Sequence, residues 1–219
     1  HIDVSRLEQF IQLPDDLQRK AKIQLQKQAI YQFRNQLLSQ QLQREIQNSD
    51  FSKTEYGKPY LAHFPQAAFN HSHSRKHYAL AYSDTIPQVG VDVEDLDRAV
   101  RFEALAQHAF HPEELRCWAE LDYSLEYWFR VWTTKEAVLK ASGLGIRLNL
   151  NELNTQAHPT HNGGMCSHPL IGRFAYQKFE LGDVMLTVAW RAEQSCRGYA
   201  LPQIELVQHL LTDIKKPLD

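Results

Sequence analysis

The sequence predicts an α+β protein made of two similar halves. Three observations carry that prediction. Amphipathic helical stretches alternate with short strand-like runs. The alternation has two beats, each a longer helix accompanied by strands, although no convincing sequence repeat goes with it. The composition is that of an ordinary globular chain, with 219 residues of which 43% are hydrophobic and 23% charged. That is enough apolar material for a core and too little polarity for wholesale disorder. At roughly 150 residues per domain the length admits one large domain or two small ones. The expected division is an N-terminal half over 1–100 and a C-terminal half over 101–219.

The first helix is expected over 14–48. Pro14, Asp15 and Asp16 suit a helix start, where acidic side chains meet the positive end of the dipole. Leu17, Ala21, Ile30, Phe33, Leu37, Leu38 and Leu42 recur at spacings near three and four. Twelve glutamines fall within the first 50 residues, and their interleaving with apolar positions reads as a polar helix face. Gly57-Lys58-Pro59-Tyr60 marks a turn. Strands are expected at Phe69 to Ser74, Tyr78 to Tyr82 and Val89 to Glu94, then short helices at Asp97 to Gln107 and His111 to Leu121. Ser124 to Ser142 is the clearest helix, with an apolar stripe through Trp128, Phe129, Trp132 and Leu139, and Gly143 and Gly145 end it. Residues 153–168 read as a polar loop. Strands follow at Gly172 to Phe179, Asp183 to Trp190 and Gly198 to Leu201, and a short helix at Ile204 to Ile214.

Charge and cysteine content exclude several classes. Lys and Arg number 24 against 26 Asp and Glu, a net charge of −2, so a globally basic nucleic-acid binder is not expected. No apolar run reaches the ~18 residues of a membrane-spanning helix. His1-Ile2-Asp3 lacks the basic-then-apolar pattern of a secretory leader. Cys117, Cys166 and Cys196 are odd in number and widely spaced, which suits a reducing cytoplasm better than a disulfide framework or a zinc site.

Three segments carry chemistry. In Val89-Gly90-Val91-Asp92-Val93-Glu94, strand alternation sends Asp92 and Glu94 to one face and Val91 and Val93 to the other. Two carboxylates so placed repel unless a cation such as Mg²⁺ joins them; the same segment also reads as a strand edge ending in solvated acids. In Trp132-Thr133-Thr134-Lys135-Glu136-Ala137-Val138-Leu139-Lys140, Glu136 and Lys140 stack one helical turn apart beneath Trp132. They suit a metal and an anion, or simply one another as a surface ion pair. Asn70-His71-Ser72-His73-Ser74-Arg75-Lys76 gathers hydroxyls, imidazoles and cations that suit phosphate. It is also compatible with a metal site on His71 and His73, with a Ser-His pair, or with a plain polar turn.

Their order and spacing decide among these. Gly57-Lys58-Pro59-Tyr60, Phe69-Asn70-x-Ser72-His73-Ser74, Val89-Gly90-Val91-Asp92-Val93-Glu94 and Phe129-Arg130-x-Trp132-x-x-Lys135-Glu136-Ala137-x-x-Lys140-Ala141-x-Gly143-x-Gly145 together resemble the 4′-phosphopantetheinyl transferase superfamily, in its single-chain, surfactin-synthetase-activating (Sfp-type) form. The motif region spans residues 57 to 146; His71 departs from it at a position often apolar in the family. The resemblance implies two α+β halves packed as a pseudodimer, with coenzyme A in the cleft between them and no second chain needed. It implies transfer of phosphopantetheine from coenzyme A to a serine of an apo acyl or peptidyl carrier protein. Asp92, Glu94 and Glu136 would bind Mg²⁺, and Glu136, directly or through water, would be the base. Lys140, Ser72 and His73 would meet phosphate groups. Lys58 and Pro59 would lie along the adenosine end. Arg34 is a further phosphate candidate, ahead of Lys20 and Lys22. The segment from Phe110 to Tyr127 is the candidate carrier surface. Competing readings are a noncatalytic coenzyme A or nucleotide-binding module, an interaction domain with surface ion pairs, and a metal hydrolase built on His71, His73 and Asp92.

Overall fold

A computed structural model describes residues 1–14, 16–195, 198–199 and 201–209. Asp15, Cys196 and residues 210–219 lie outside these, and with them part of the expected C-terminal helix. In chain order the elements are β1 (Ile2–Arg6), α1 (Arg19–Leu42), β2 (Phe51–Lys53), β3 (Pro59–Leu61), β4 (Ala68–His73), β5 (His77–Ser83) and β6 (Val89–Asp95). There follow α2 (Phe102–Ala109), α3 (Pro112–Glu120), α4 (Leu125–Ser142), β7 (Gly163–His168), β8 (Gly172–Glu180), β9 (Val184–Arg191), β10 (Gln194–Ser195), β11 (Gly198–Tyr199) and β12 (Leu206–Gln208).

Two four-stranded sheets form the centre, ordered β12-β1-β5-β4 and β6-β9-β8-β7. They share a core in which Ile2, Val4, Ala79 and Ala81 of the first meet Val89, Val91, Val93, Leu186 and Val188 of the second. α1 covers the outer face of the first sheet, setting Phe33, Leu37 and Leu38 among Phe69, Tyr78 and Leu80. α4 covers the outer face of the second with Trp128, Phe129, Val131, Ala137 and Val138. The protein is therefore α+β, layered helix–sheet–sheet–helix. Burying one such Leu or Phe side chain is worth about 1.5–3 kcal/mol.

Several boundaries differ from expectation. α1 starts at Arg19 because Gln18 is still extended, with φ −61° and ψ 148°, and it ends where Gln43 turns left-handed at φ 51°. α2 starts only at Phe102, since the chain first turns back on itself through Arg98 N–H to Asp95 O. The polar loop contains β7, paired antiparallel with β8. The expected helix after Ile204 is instead β12, parallel to β1, and β1 itself carried no sequence expectation.

One difference bears on the site. The expected first half, 1–100, contains Asp92 and Glu94, yet β6 pairs along its whole length with β9 of the second sheet. Gly90 makes this possible. A Cβ there would lie 2.2 Å from Ala137 O and 2.4 Å from Ala141 N, so only glycine lets α4 rest directly on β6.

Candidate active site

Strand alternation puts Gly90, Asp92 and Glu94 on the α4 face of β6. Helical spacing puts Trp132, Glu136 and Lys140 on one stripe of α4, four residues apart. The two rows meet in a cleft of about 620 Å³, closed on a third side by Ser72, His73 and Ser74 at the end of β4 and by Arg98 after β6. Ser124, whose Oγ accepts from Tyr127 N–H at 3.3 Å, and Gly143, left-handed at φ 75°, terminate α4 and fix the length of the stripe.

Lys140 is the central cation. Its Nζ donates to Asp92 Oδ1 at 2.6 Å and to Ser72 Oγ at 2.8 Å, and Ser72 Oγ donates in turn to Asp92 Oδ1 at 3.0 Å. Asp92 Oδ2 is buried with no partner. Glu94 Oε1 accepts from Arg98 Nη1 and from Trp132 Nε1, the latter at 3.2 Å. Burial and the neighbouring Asp92 push the Glu94 carboxyl up to about 7, against the pull of Arg98, Trp132 and Lys140. Glu136 is raised for the same two reasons. The alternative reading, a Glu136–Lys140 surface pair, does not hold, because Lys140 turns to Asp92 instead.

These carboxylates suit a hard divalent cation: they are oxygen donors, crowded and partly dehydrated, and one buried oxygen has no partner. Among the described residues, no group of three His, Cys, Asp or Glu side chains stands ready to hold a metal ion. Lys140 and Arg98 occupy Asp92 and Glu94, so a metal would displace them toward whatever anion accompanies it.

The remaining expected residues divide. Ser72 is buried at the cleft wall, whereas His73 is exposed at its mouth, with Nδ1 3.3 Å from Ser74 O. Lys58 and Pro59 line a neighbouring groove of about 310 Å³. The Lys58 ammonium donates to Val89 O at 3.0 Å and Ala141 O at 2.9 Å, tying β6 to α4 rather than facing a ligand, and burial pulls its pKa down to about 8. Arg34 does not reach the cleft. Its guanidinium lies 3.6 Å from the Phe51 ring centre and donates to Asn35 Oδ1 and Asn48 Oδ1, a structural role under α1. Lys20 and Lys22 lie in the first turn of α1 and line no part of the cleft.

The His71–His73–Asp92 hydrolase reading is corrected by alternation along β4. His71 faces α1, between the rings of Tyr31 at 6.3 Å and Tyr78 at 5.8 Å, while Ser72 faces Asp92. Burial pulls the His71 imidazole down to about 3, with Arg34, Lys140 and His73 adding to the effect, so it is neutral. Lys135, the other cation of the α4 motif, is fully buried. Its Nζ pairs with Glu114 Oε2 at 2.8 Å and donates to Leu150 O and Leu153 O, fastening the 150–153 segment to α4. Arg98 was missed by sequence reasoning, because its four-residue spacing from Glu94 signals a side-chain pair only on a helix, and here the chain passes from strand into a turn.

The chain is similar in sequence to known proteins. Residues 88–189 match the family model of the 4′-phosphopantetheinyl transferase superfamily. The 4′-phosphopantetheinyl transferase Sfp of Bacillus subtilis (strain 168) is 31% identical over 127 residues, 56% of this chain and 54% of that protein. The 4′-phosphopantetheinyl transferase HetI of Nostoc sp. is 35% identical over 124 residues, 54% of this chain and 52% of its own. The chain thus spans about half the length of the curated relatives it matches. Among solved structures, the holo-[acyl-carrier-protein] synthase of Thermotoga maritima overlaps 52% of this chain and 82% of its own at 15% identity, with a TM-score of 0.38.

Proposed function

Residues 88–189 belong to the 4′-phosphopantetheinyl transferase superfamily, and on that premise we propose that the chain transfers the 4′-phosphopantetheine group of coenzyme A to a serine hydroxyl of an apo acyl or peptidyl carrier protein, releasing adenosine 3′,5′-bisphosphate. The observation that carries this reading is the Asp92–Lys140–Ser72 cluster, with its orphaned carboxylate oxygen, in one cleft with Glu94 and Glu136.

Asp92, Glu94 and Glu136 would hold Mg²⁺. When bound, the ion neutralises charge on the diphosphate oxygens of coenzyme A. Lys140 binds the same diphosphate once it leaves Asp92, and Ser72 and His73 donate to phosphate oxygens. Glu136 takes the serine proton, directly or through a water. The serine oxygen then attacks the β-phosphorus as the bond to the departing nucleotide oxygen breaks. The working unit in this reading is a monomer, supported by a cleft whose lining residues all come from one chain.

The test mixes the protein with coenzyme A, Mg²⁺ and a panel of apo carrier proteins and reads intact masses. The expected result is a serine-linked gain of one phosphopantetheine, lost with Asp92→Ala. Mg²⁺-dependent coenzyme A binding without modification of any carrier would identify a noncatalytic binding module instead.

A further inference from the structure

β6 is the edge of its sheet. β9 satisfies one side of it, and the backbone groups on the other side point at the first half of the molecule. Side chains of that half meet them. Val89 O receives the Lys58 ammonium, and the Val91 N–H donates to Asn70 Oδ1 at 2.9 Å. Asn70 is 6% exposed, and its amide orientation follows from its partner, since a backbone N–H requires the oxygen. The face of β4 that carries Asn70 also carries Ser72, bonded to Asp92, and is continued by Ser74, whose Oγ donates to Asp95 Oδ1 at 2.9 Å. Alternate residues of one strand thus grip successive points of the other.

Of the Asn70, Ser72 and Ser74 contacts, that of Asn70 is the one made to the β6 backbone, one residue before Asp92. A one-residue slip of a strand reverses the face of every side chain on it. We propose that Asn70 is a positioning residue: its amide oxygen fixes β6 against β4 and so aims Asp92 at the cleft between Ser72 and Lys140. This rests on the metal role proposed for Asp92. Asn70 touches no reacting group itself, and its effect passes through the Val91 amide.

Mn²⁺ alone serves as a probe, its binding to the full chain measured by electron paramagnetic resonance. Asn70→Ala is expected to raise the Mn²⁺ dissociation constant about tenfold, as loss of support for a metal ligand typically does. Asn70→Asp keeps the acceptor and is expected to bind Mn²⁺ at least as tightly as the wild type. In the carrier-loading assay the alanine variant should lose kcat while its KM for coenzyme A stays put. Mn²⁺ affinity unchanged in Asn70→Ala, or lost equally in Asn70→Asp, overturns the proposal, as does a wild-type chain that binds no Mn²⁺. If the alanine variant does not fold, Asn70→Ser replaces it, its acceptor being too short to reach; equal Mn²⁺ affinity in the Ser and Asp variants is then the overturning result. A wild-type chain that binds Mn²⁺ but loads no carrier removes the transferase reading, while the Ala and Asp comparison still decides the role of Asn70.

Discussion

Glu94 keeps its proton in the folded chain to about pH 7, whereas its ordinary value is 4.5. Over that interval the folded state binds more protons than the unfolded state, so stability falls as pH rises. Glu136 adds to the trend in the same direction. With metal removed by a chelator, thermal denaturation should show a melting temperature that declines between about pH 5 and 7, and Glu94→Gln should flatten the slope. The buried Lys135–Glu114 pair makes a second prediction. Glu114 also accepts from Thr155 N–H and from Thr155 Oγ1, so removing its lysine strands a carboxylate in the core. Lys135→Ala should cost about 3–5 kcal/mol in urea denaturation, and its activity loss should track unfolding rather than a change in KM. What the sequence revealed at this scale was residue type and order: Asp92, Glu94, Glu136 and Lys140 all line one cleft. It could not reveal partner choice, because Lys140 reaches across to Asp92 rather than along its own helix, and because Lys58 and Arg34 spend their charge on backbone carbonyls, amides and a ring.

Among the elements, β6 and α4 do most to build the cleft, and Gly90 sets the distance between them. Gly90→Ala would drive a methyl group into the backbone of Ala137 and Ala141. Overpacking of this kind costs about 1–3 kcal/mol, and here it also separates the Asp92 row from the Lys140 row. The expected outcome is a lower melting temperature together with a larger loss of metal affinity than the stability change alone explains, read by scanning calorimetry and Mn²⁺ titration. Elements with strong periodicity and chemical end signals were legible: α4 between Ser124 and Gly143, and β6 with its alternating valines. β1, β7 and β12 were not, because their short runs acquire strand form from the partners they pair with. β12, for example, has three residues and is held by β1.

Across the whole molecule, the cleft is walled by both halves, so ligand binding and stability are coupled. A metal ion bound only by the folded state raises stability by about 2.7 kcal/mol at a hundredfold excess over its dissociation constant. Mg²⁺ should therefore raise the melting temperature of the wild type, and Asp92→Asn should abolish the increase. The two-beat pattern in the sequence anticipated two helix-and-sheet halves but misassigned the strand between them, since alternating valines say that a strand has a buried face without saying which sheet it joins.

That strand governs how the polypeptide can be divided. A cut between residues 100 and 101 leaves the first fragment holding β6, which belongs to the other sheet, and deprives it of β12, which belongs to its own. Each fragment exposes a raw sheet border shaped for the other, so neither should persist alone in solution. Coexpressed, the two should recombine by exchanging these strands.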